Sequence, residues 1–253
     1  MDTDTAIERV ATLLRNARHA VALTGAGLST ESGIPDFRSP GGVWERFRPV
    51  EYAEFLANHE ARKEHWRYKR ATVPAMLAAA PNAAHRVLAQ LETAGRLAAV
   101  ITQNIDGLHQ RAGSRHVLEL HGTNLEAVCL RCETRVPIRE ALAALEAGAE
   151  VPRCAQCGGW LKPATVSFGQ ALPADVLDEA AALAQQSDVL LALGSSLIVT
   201  PAASLAGLAK QGGGALVIIN LTATPYDGVA DVLVREKVGT VLPRVSAALL
   251  ASQ

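Results

Sequence analysis

The chain has no run approaching the roughly 18 consecutive apolar residues that a membrane-spanning helix needs. Its opening, MDTDTAIERV, is acidic where a secretory signal would be basic and then apolar, so a cytoplasmic location is expected. Charge imbalance is missing as well. Lys and Arg total 24 against 25 acidic residues, a formal net charge of −1, which gives no broad electrostatic pull toward nucleic acid or an anionic membrane. Neither is expected as a partner. Internal repeats and low-complexity tracts are absent. Cysteine is scarce, with four in 253 residues, and all four fall in two CxxC pairs, Cys129/Cys132 and Cys154/Cys157. In a reducing compartment that pattern suits a metal better than a disulfide framework.

What remains is an ordinary globular composition, 49% apolar and 19% charged, long enough for one large domain with a smaller insert. The apolar runs at 20–25, 97–104, 116–122, 188–196 and 215–220 are short, continuous and bounded by Gly or polar residues. They predict fully buried strands. Helical patterns lie at about 5–18, 82–94, 173–186, 201–211 and 239–251. Strands alternating with helices imply an α/β fold, a parallel sheet covered by helices on both faces. Ligands of such sheets bind beyond the carboxyl ends of the strands. Residues 38–74 and 123–163 break the rhythm and predict inserts that form one smaller lobe.

The first strand runs into VALTGAGLST, where Gly25 and Gly27 let backbone approach a pyrophosphate. Thr30 replaces the third glycine of the usual dinucleotide fingerprint, and no acidic residue ends a second strand at the expected distance, which disfavours a standard dehydrogenase. By itself the motif is equally a turn closing a strand. The following SGIPDFRSPGGVWERF is too polar for a core and too irregular for a helix. It reads as an ordered loop over a ligand, with Asp36 and Arg38 suited to ribose and phosphate and Phe37 to a departing ring; a solvated surface loop has the same composition.

Parallel strands at 97–104 and 116–122 end on one sheet edge, so Gln103, Asn104, Asp106 and His121 converge on the crevice lined by 25–38. His121, with an ordinary pKa of about 6.5, suits a proton acceptor near neutrality, although alone it is as readily structural. For His109 and His116, on a helical turn and at a strand start, structural or solvated roles are expected. Gly194, Ser195 and Ser196 permit close approach at another strand end, and Asn220 is placed either to bind ribose or to cap a turn. Cysteines 129, 132, 154 and 157, with 21 residues between the pairs, predict a structural zinc site, because four thiolates leave no open coordination position.

Taken together and in order, GAGLSTESGIPDFRSPGGVW, TQNIDGLH, ELHG, the CxxC knuckles, PATVSFGQALP, GSSLIVTPAASL and IIN resemble the sirtuins, NAD-dependent protein lysine deacylases, over nearly the whole chain. The resemblance implies a Rossmann-like domain at 1–37, 75–122 and 164–253. A cofactor loop and helical insert at 38–74 and a zinc module at 123–163 would complete it. The implied reaction expels nicotinamide from NAD as the acyl oxygen of acyl-lysine attacks C1′, giving an alkylimidate. His121 then deprotonates a ribose hydroxyl, and O-acyl-ADP-ribose and free lysine leave. By matching positions, Asn104, Ile105 and Asp106 would line the nicotinamide pocket and Gln103 would meet ribose. Gly25, Ala26, Gly27, Asp36, Phe37 and Arg38 would take phosphate, ribose and nicotinamide contacts. Gly194, Ser195, Ser196, Asn220 and Val238 would hold the adenosine half, and Val166, Ser167 and Phe168 would pair with the substrate peptide as an added strand.

Three positions depart from the pattern. Where succinyl-preferring members carry a Tyr and, three residues on, an Arg for the acyl carboxylate, this chain aligns Trp66 and Lys69. Trp has no hydroxyl and Lys no bidentate fork, so deacetylation is expected over desuccinylation, with Tyr68 and Arg70 one register away. Gln170 stands for a common Glu and Ser195 for a common Thr; both retain hydrogen-bonding ability. Competing readings are longer-chain deacylation, mono-ADP-ribosyl transfer or NAD hydrolysis in the same pocket, and a zinc-ribbon binding module without turnover.

Overall fold

A computed structural model describes residues 2–36 and 42–251. Nine strands make up its two sheets: β1 Ala20–Thr24, β2 Ala99–Thr102, β3 Val117–Glu119, β4 Gly122–Cys129, β5 Arg135–Pro137, β6 Leu161–Thr165, β7 Val189–Leu193, β8 Ala215–Ile219 and β9 Val232–Val234. Six form a parallel sheet in the order β3-β2-β1-β7-β8-β9. The other three form an antiparallel sheet, β5-β4-β6.

Every residue of β1 and β7 is buried, as continuous apolar runs require when helices cover both faces. Side chains of β1 alternate between the two layers. Ala20 and Ala22 pack with helices Thr3–Asn16, Ala83–Thr93 and Val238–Leu250, whereas Val21 and Leu23 pack with Ala174–Gln186 and Ser204–Gln211. A third apolar cluster lies apart from the sheet. It joins Phe55, Ala61, Trp66 and Val73 of the first insert to Ala127, Ile138, Leu142 and Leu161 of the second, so the two inserts share one core.

Two differences from the sequence expectation bear on the site. Ladder pairing of β2 stops at Thr102, that of β3 at Glu119 and that of β7 at Leu193, short of the expected 104, 122 and 196, and the residues beyond leave the sheet. The edge strand β9 was not expected, because three residues carry too little pattern to distinguish a strand from a loop.

Candidate active site

The strand order reverses between β1 and β7, the position where open parallel sheets bind ligands. The turns leaving these strands lock together: Gly25 N donates to Leu193 O at 3.0 Å and Gly27 N to Gly194 O at 2.9 Å. Gly194 has a φ of 60°, and a Cβ there would sit 2.3 Å from Leu28 N, so no other residue fits. From this junction a cavity of about 950 Å³ extends to the small lobe.

The opposite wall begins at His121. Its Nδ1 lies 3.0 Å from Gln103 O; a carbonyl only accepts, so Nδ1 carries the proton and Nε2 is the basic nitrogen of the neutral ring. His121 O in turn accepts from Val166 N at 2.8 Å, and Phe168 O accepts from Tyr52 N at 2.8 Å. Segment 166–168 is thereby fixed along the cavity beside His121. Phe168 remains 44% exposed, an apolar ring at the mouth with no core to occupy.

Between the walls runs a buried polar web. Asn104 Nδ2 donates to Gly25 O and to Ser29 Oγ, both at 3.1 Å, and Ser29 Oγ donates to Asp106 Oδ2 at 2.7 Å. Asp106 Oδ1 accepts from Leu108 N at 2.9 Å. Burial holds the Asp106 carboxyl above its ordinary pKa, although these two donors pull the other way. The web ties the turn after β2 to the loop after β1 by direct bonds between protein groups.

On the far side of the small lobe, the Sγ atoms of Cys129, Cys132, Cys154 and Cys157 all lie within 4.8 Å of one another, with nearest separations of 3.3–3.7 Å. Zinc at about 2.3 Å from each thiolate would set them roughly 3.8 Å apart, so the cage fits one tetrahedral ion. It lies outside the cavity lining, and the ion is structural.

A family model described as the Sir2 family matches residues 25–201. The chain belongs to the Sir2 family. A relative within it, the "NAD-dependent protein deacetylase" of Thermodesulfovibrio yellowstonii, is 45% identical over 93% of this chain and 92% of its own. A solved Sir2 structure with a p53 peptide and NAD+ superposes with a TM-score of 0.89 at 41% identity, covering 95% of this chain and 97% of that one. Another, a Sir2 variant with a deacetylated p53 peptide and 3′-O-acetyl ADP ribose, gives 0.90 at 41% identity with the same coverage.

Against this Sir2 frame the expected site residues separate. Gly25, Ala26, Gly27, Asp36, Gln103, Asn104, Ile105, His121, Val166, Ser167, Phe168, Gly194, Ser195, Ser196, Asn220 and Val238 all line the cavity. Phe37 and Arg38 lie outside the described residues. Asp106 stands behind the lining, linked to it through Ser29 and Asn104.

Trp66 is not where its expected role requires. It is wholly buried in the small-lobe core, its Nε1 donating to Leu161 O at 3.1 Å, because its face of helix His59–Ala78 packs on the zinc module. Lys69 does line the cavity yet is only 2% exposed, its Nζ donating to Asn124 Oδ1 at 2.7 Å. Burial first, and Lys162 second, depress the Lys69 ammonium to about 7. Tyr68 joins the lining, and Arg70 faces solvent.

Sequence reasoning missed Ser29 and Asn124. Ser29 lay in plain view inside GAGLSTES; Asn124 N also donates to Ile105 O at 2.8 Å, a contact no spacing rule announces.

Proposed function

We propose that this chain is an NAD-dependent protein lysine deacetylase that moves the acetyl group from lysine to ADP-ribose and releases nicotinamide. The observation that carries the reading is the position of His121. Its basic Nε2 belongs to a ring that shares one cavity with the glycine turns of β1 and β7 and with the edge segment 166–168. A dinucleotide over the turns and a peptide along that edge would bring ribose and acyl-lysine together at His121, which would take the hydroxyl proton.

In this reading Gly25, Ala26 and Gly27 carry the pyrophosphate on bare backbone, Asn104 and Ile105 hold the carboxamide ring, and Gln103 meets ribose. Gln103 is held by its Nε2 donating to Ser195 Oγ at 2.9 Å. Gly194, Ser195, Ser196, Asn220 and Val238 receive the adenosine half, and Asp36, Phe37 and Arg38 are assigned phosphate, ribose and nicotinamide contacts. Asp106 acts behind Asn104. Val166, Ser167 and Phe168 offer backbone to the peptide.

Acetyl-lysine is favoured because Trp66 is withdrawn from the cavity and the Lys69 ammonium is engaged by Asn124. The division into a sheet domain at 1–37, 75–122 and 164–253, an insert at 38–74 and a zinc module at 123–163 is supported by the separate small-lobe core. A cytoplasmic location is consistent with the reduced thiol cage. Among the described residues no helix is long and apolar enough to cross a membrane.

Incubation with NAD and matched acetyl-, succinyl- and longer acyl-lysine peptides, with mass detection of products, tests the reading. O-acetyl-ADP-ribose formed fastest from the acetyl peptide is the expected result. Nicotinamide release that needs no acylated peptide would replace it with NAD hydrolysis or ADP-ribosyl transfer.

A further inference from the structure

Four buried polar side chains behind the cavity wall have no task in the chemistry above: Thr24, His85, Thr102 and His109, none more than 2% exposed. The two histidine rings have centroids 4.8 Å apart and planes inclined at 56°. Each ring has one nitrogen engaged. The backbone N–H of Asn82 points at His85 Nδ1, 3.3 Å away; an amide N–H only donates, so His85 Nδ1 bears the lone pair and Nε2 the proton. His109 Nε2 lies 3.0 Å from Thr24 Oγ1, whose hydroxyl donates to Thr102 Oγ1 at 2.8 Å. Thr24 therefore accepts from His109, whose proton is on Nε2 and whose lone pair is on Nδ1.

On these two rings the other nitrogen, His85 Nε2 and His109 Nδ1, is buried and has no hydrogen-bond partner among the described residues. One is a donor and the other an acceptor. Unpaired buried donors and acceptors are rare; the two nitrogens do not meet hydrogen-bond geometry as the rings stand, but centroids 4.8 Å apart put such a bond within a small rotation of the rings. The opposite polarity, with Thr102 donating to Thr24 and Thr24 to His109, would put the His109 proton on Nδ1 and leave both free ring nitrogens as donors with no acceptor between them. Burial keeps both rings neutral, pushing His85 down to about 4 and His109 to about 3.

We propose that His85 and His109 hydrogen-bond to each other and complete a one-way chain, Asn82 N–H to His85 to His109 to Thr24 to Thr102, that positions Asn104. At its inner end Thr102 Oγ1 also accepts the Asn104 backbone N–H at 3.0 Å. The Asn104 side chain then holds Gly25 O and Ser29 Oγ. At its outer end Asn82 Nδ2 donates to Leu28 O at 2.8 Å, so both ends grip the same glycine loop. His85 and His109 are positioning residues, and their role rests on Asn104 belonging to the nicotinamide end of the site.

The test compares His109→Phe, which keeps a ring without polarity, with His109→Gln, which restores a donor toward Thr24, and Thr102→Val with Thr102→Ser. At matched folded fraction, the Phe and Val variants should lose about tenfold or more in kcat for nicotinamide release, with the KM for acetyl peptide nearly unchanged. Gln and Ser should recover part of the loss, and the Phe/Val double variant should be no worse than either single. Nitrogen NMR of the unaltered protein covers variants that fail to fold. Both rings should be Nε2–H tautomers with a through-bond coupling between His85 Nε2 and His109 Nδ1. An Nδ1–H tautomer at either ring, or folded variants with unchanged kcat, would overturn the chain. Asn104→Ala separates the two ideas: full turnover there removes the nicotinamide reading itself, whereas loss there with none at His109 removes only the relay.

Discussion

Gly122 follows His121 at the start of β4, and replacing it by alanine strikes the site through geometry alone. Its φ of 67° lies in the left-handed region, and a Cβ would stand 2.1 Å from Ala164 O on the paired strand β6. The conformation costs a non-glycine residue about 1 kcal/mol. Relieving the overlap requires β6 to move on the order of 1 Å, a strain typical of overpacked sites at about 1–3 kcal/mol. The sum, about 3 kcal/mol, should lower the melting temperature by roughly 6–12 °C for a chain of this size.

Because Val166 N is bonded to His121 O, the same displacement separates the basic ring from segment 166–168. Turnover measured well below melting should fall by about 10-fold to 100-fold. Gly148→Ala is the control: φ is 99° with nothing within 4 Å of the new Cβ, so it should cost stability alone. Melting followed by circular dichroism, with nicotinamide release assayed at 25 °C, decides the matter. A Gly122→Ala protein that melts within about 2 °C of the parent and turns over within twofold would refute the reasoning.

His121→Ala should leave NAD affinity by calorimetry largely intact while acetyl transfer falls about 10²-fold or more; unchanged transfer would remove the base. Lys69 gives a pH signature. Its folded-state pKa of about 7 lies below the ordinary 10.5, so between those values the unfolded chain binds the extra proton and stability rises with pH. Relative to Lys69→Met, the parent should therefore gain up to about 1.4 kcal/mol per pH unit above pH 7 in urea titrations, and parallel curves would contradict an ammonium depressed by burial. Removing zinc should melt the small lobe, so Trp66 and Trp160 fluorescence and activity should decline together; activity lost with that fluorescence intact would give the metal a different role.

How much of this could be read from the sequence depends on what each signal measures. Continuous apolar runs announce burial on both faces, so β1, β7 and β8 stand out, whereas the three residues of β9 gain their strand character only by pairing with β8. Polar residues after a parallel strand must lie on the ligand edge, which is why Gln103, Asn104 and His121 could be grouped. The direction each one faces is set by turn geometry. Asn104 reaches the cavity and Asp106, two residues on, is folded behind Ser29.

The helical insert shows the limit more sharply. Trp66 and Lys69, three apart, are neighbours on a helix surface, yet the boundary between the zinc-lobe core and the cavity runs between them. Composition would send the lysine to solvent, and it is buried because Asn124, 55 residues later, supplies its acceptor. His109 extends the same lesson to the chemistry. A histidine on a helical turn reads as structural and one at a strand end as chemical, and that distinction treats side chains singly. Through Thr24 and Thr102 the buried ring acts on the turn that carries Asn104, so a structural and a catalytic reading of it describe one set of bonds.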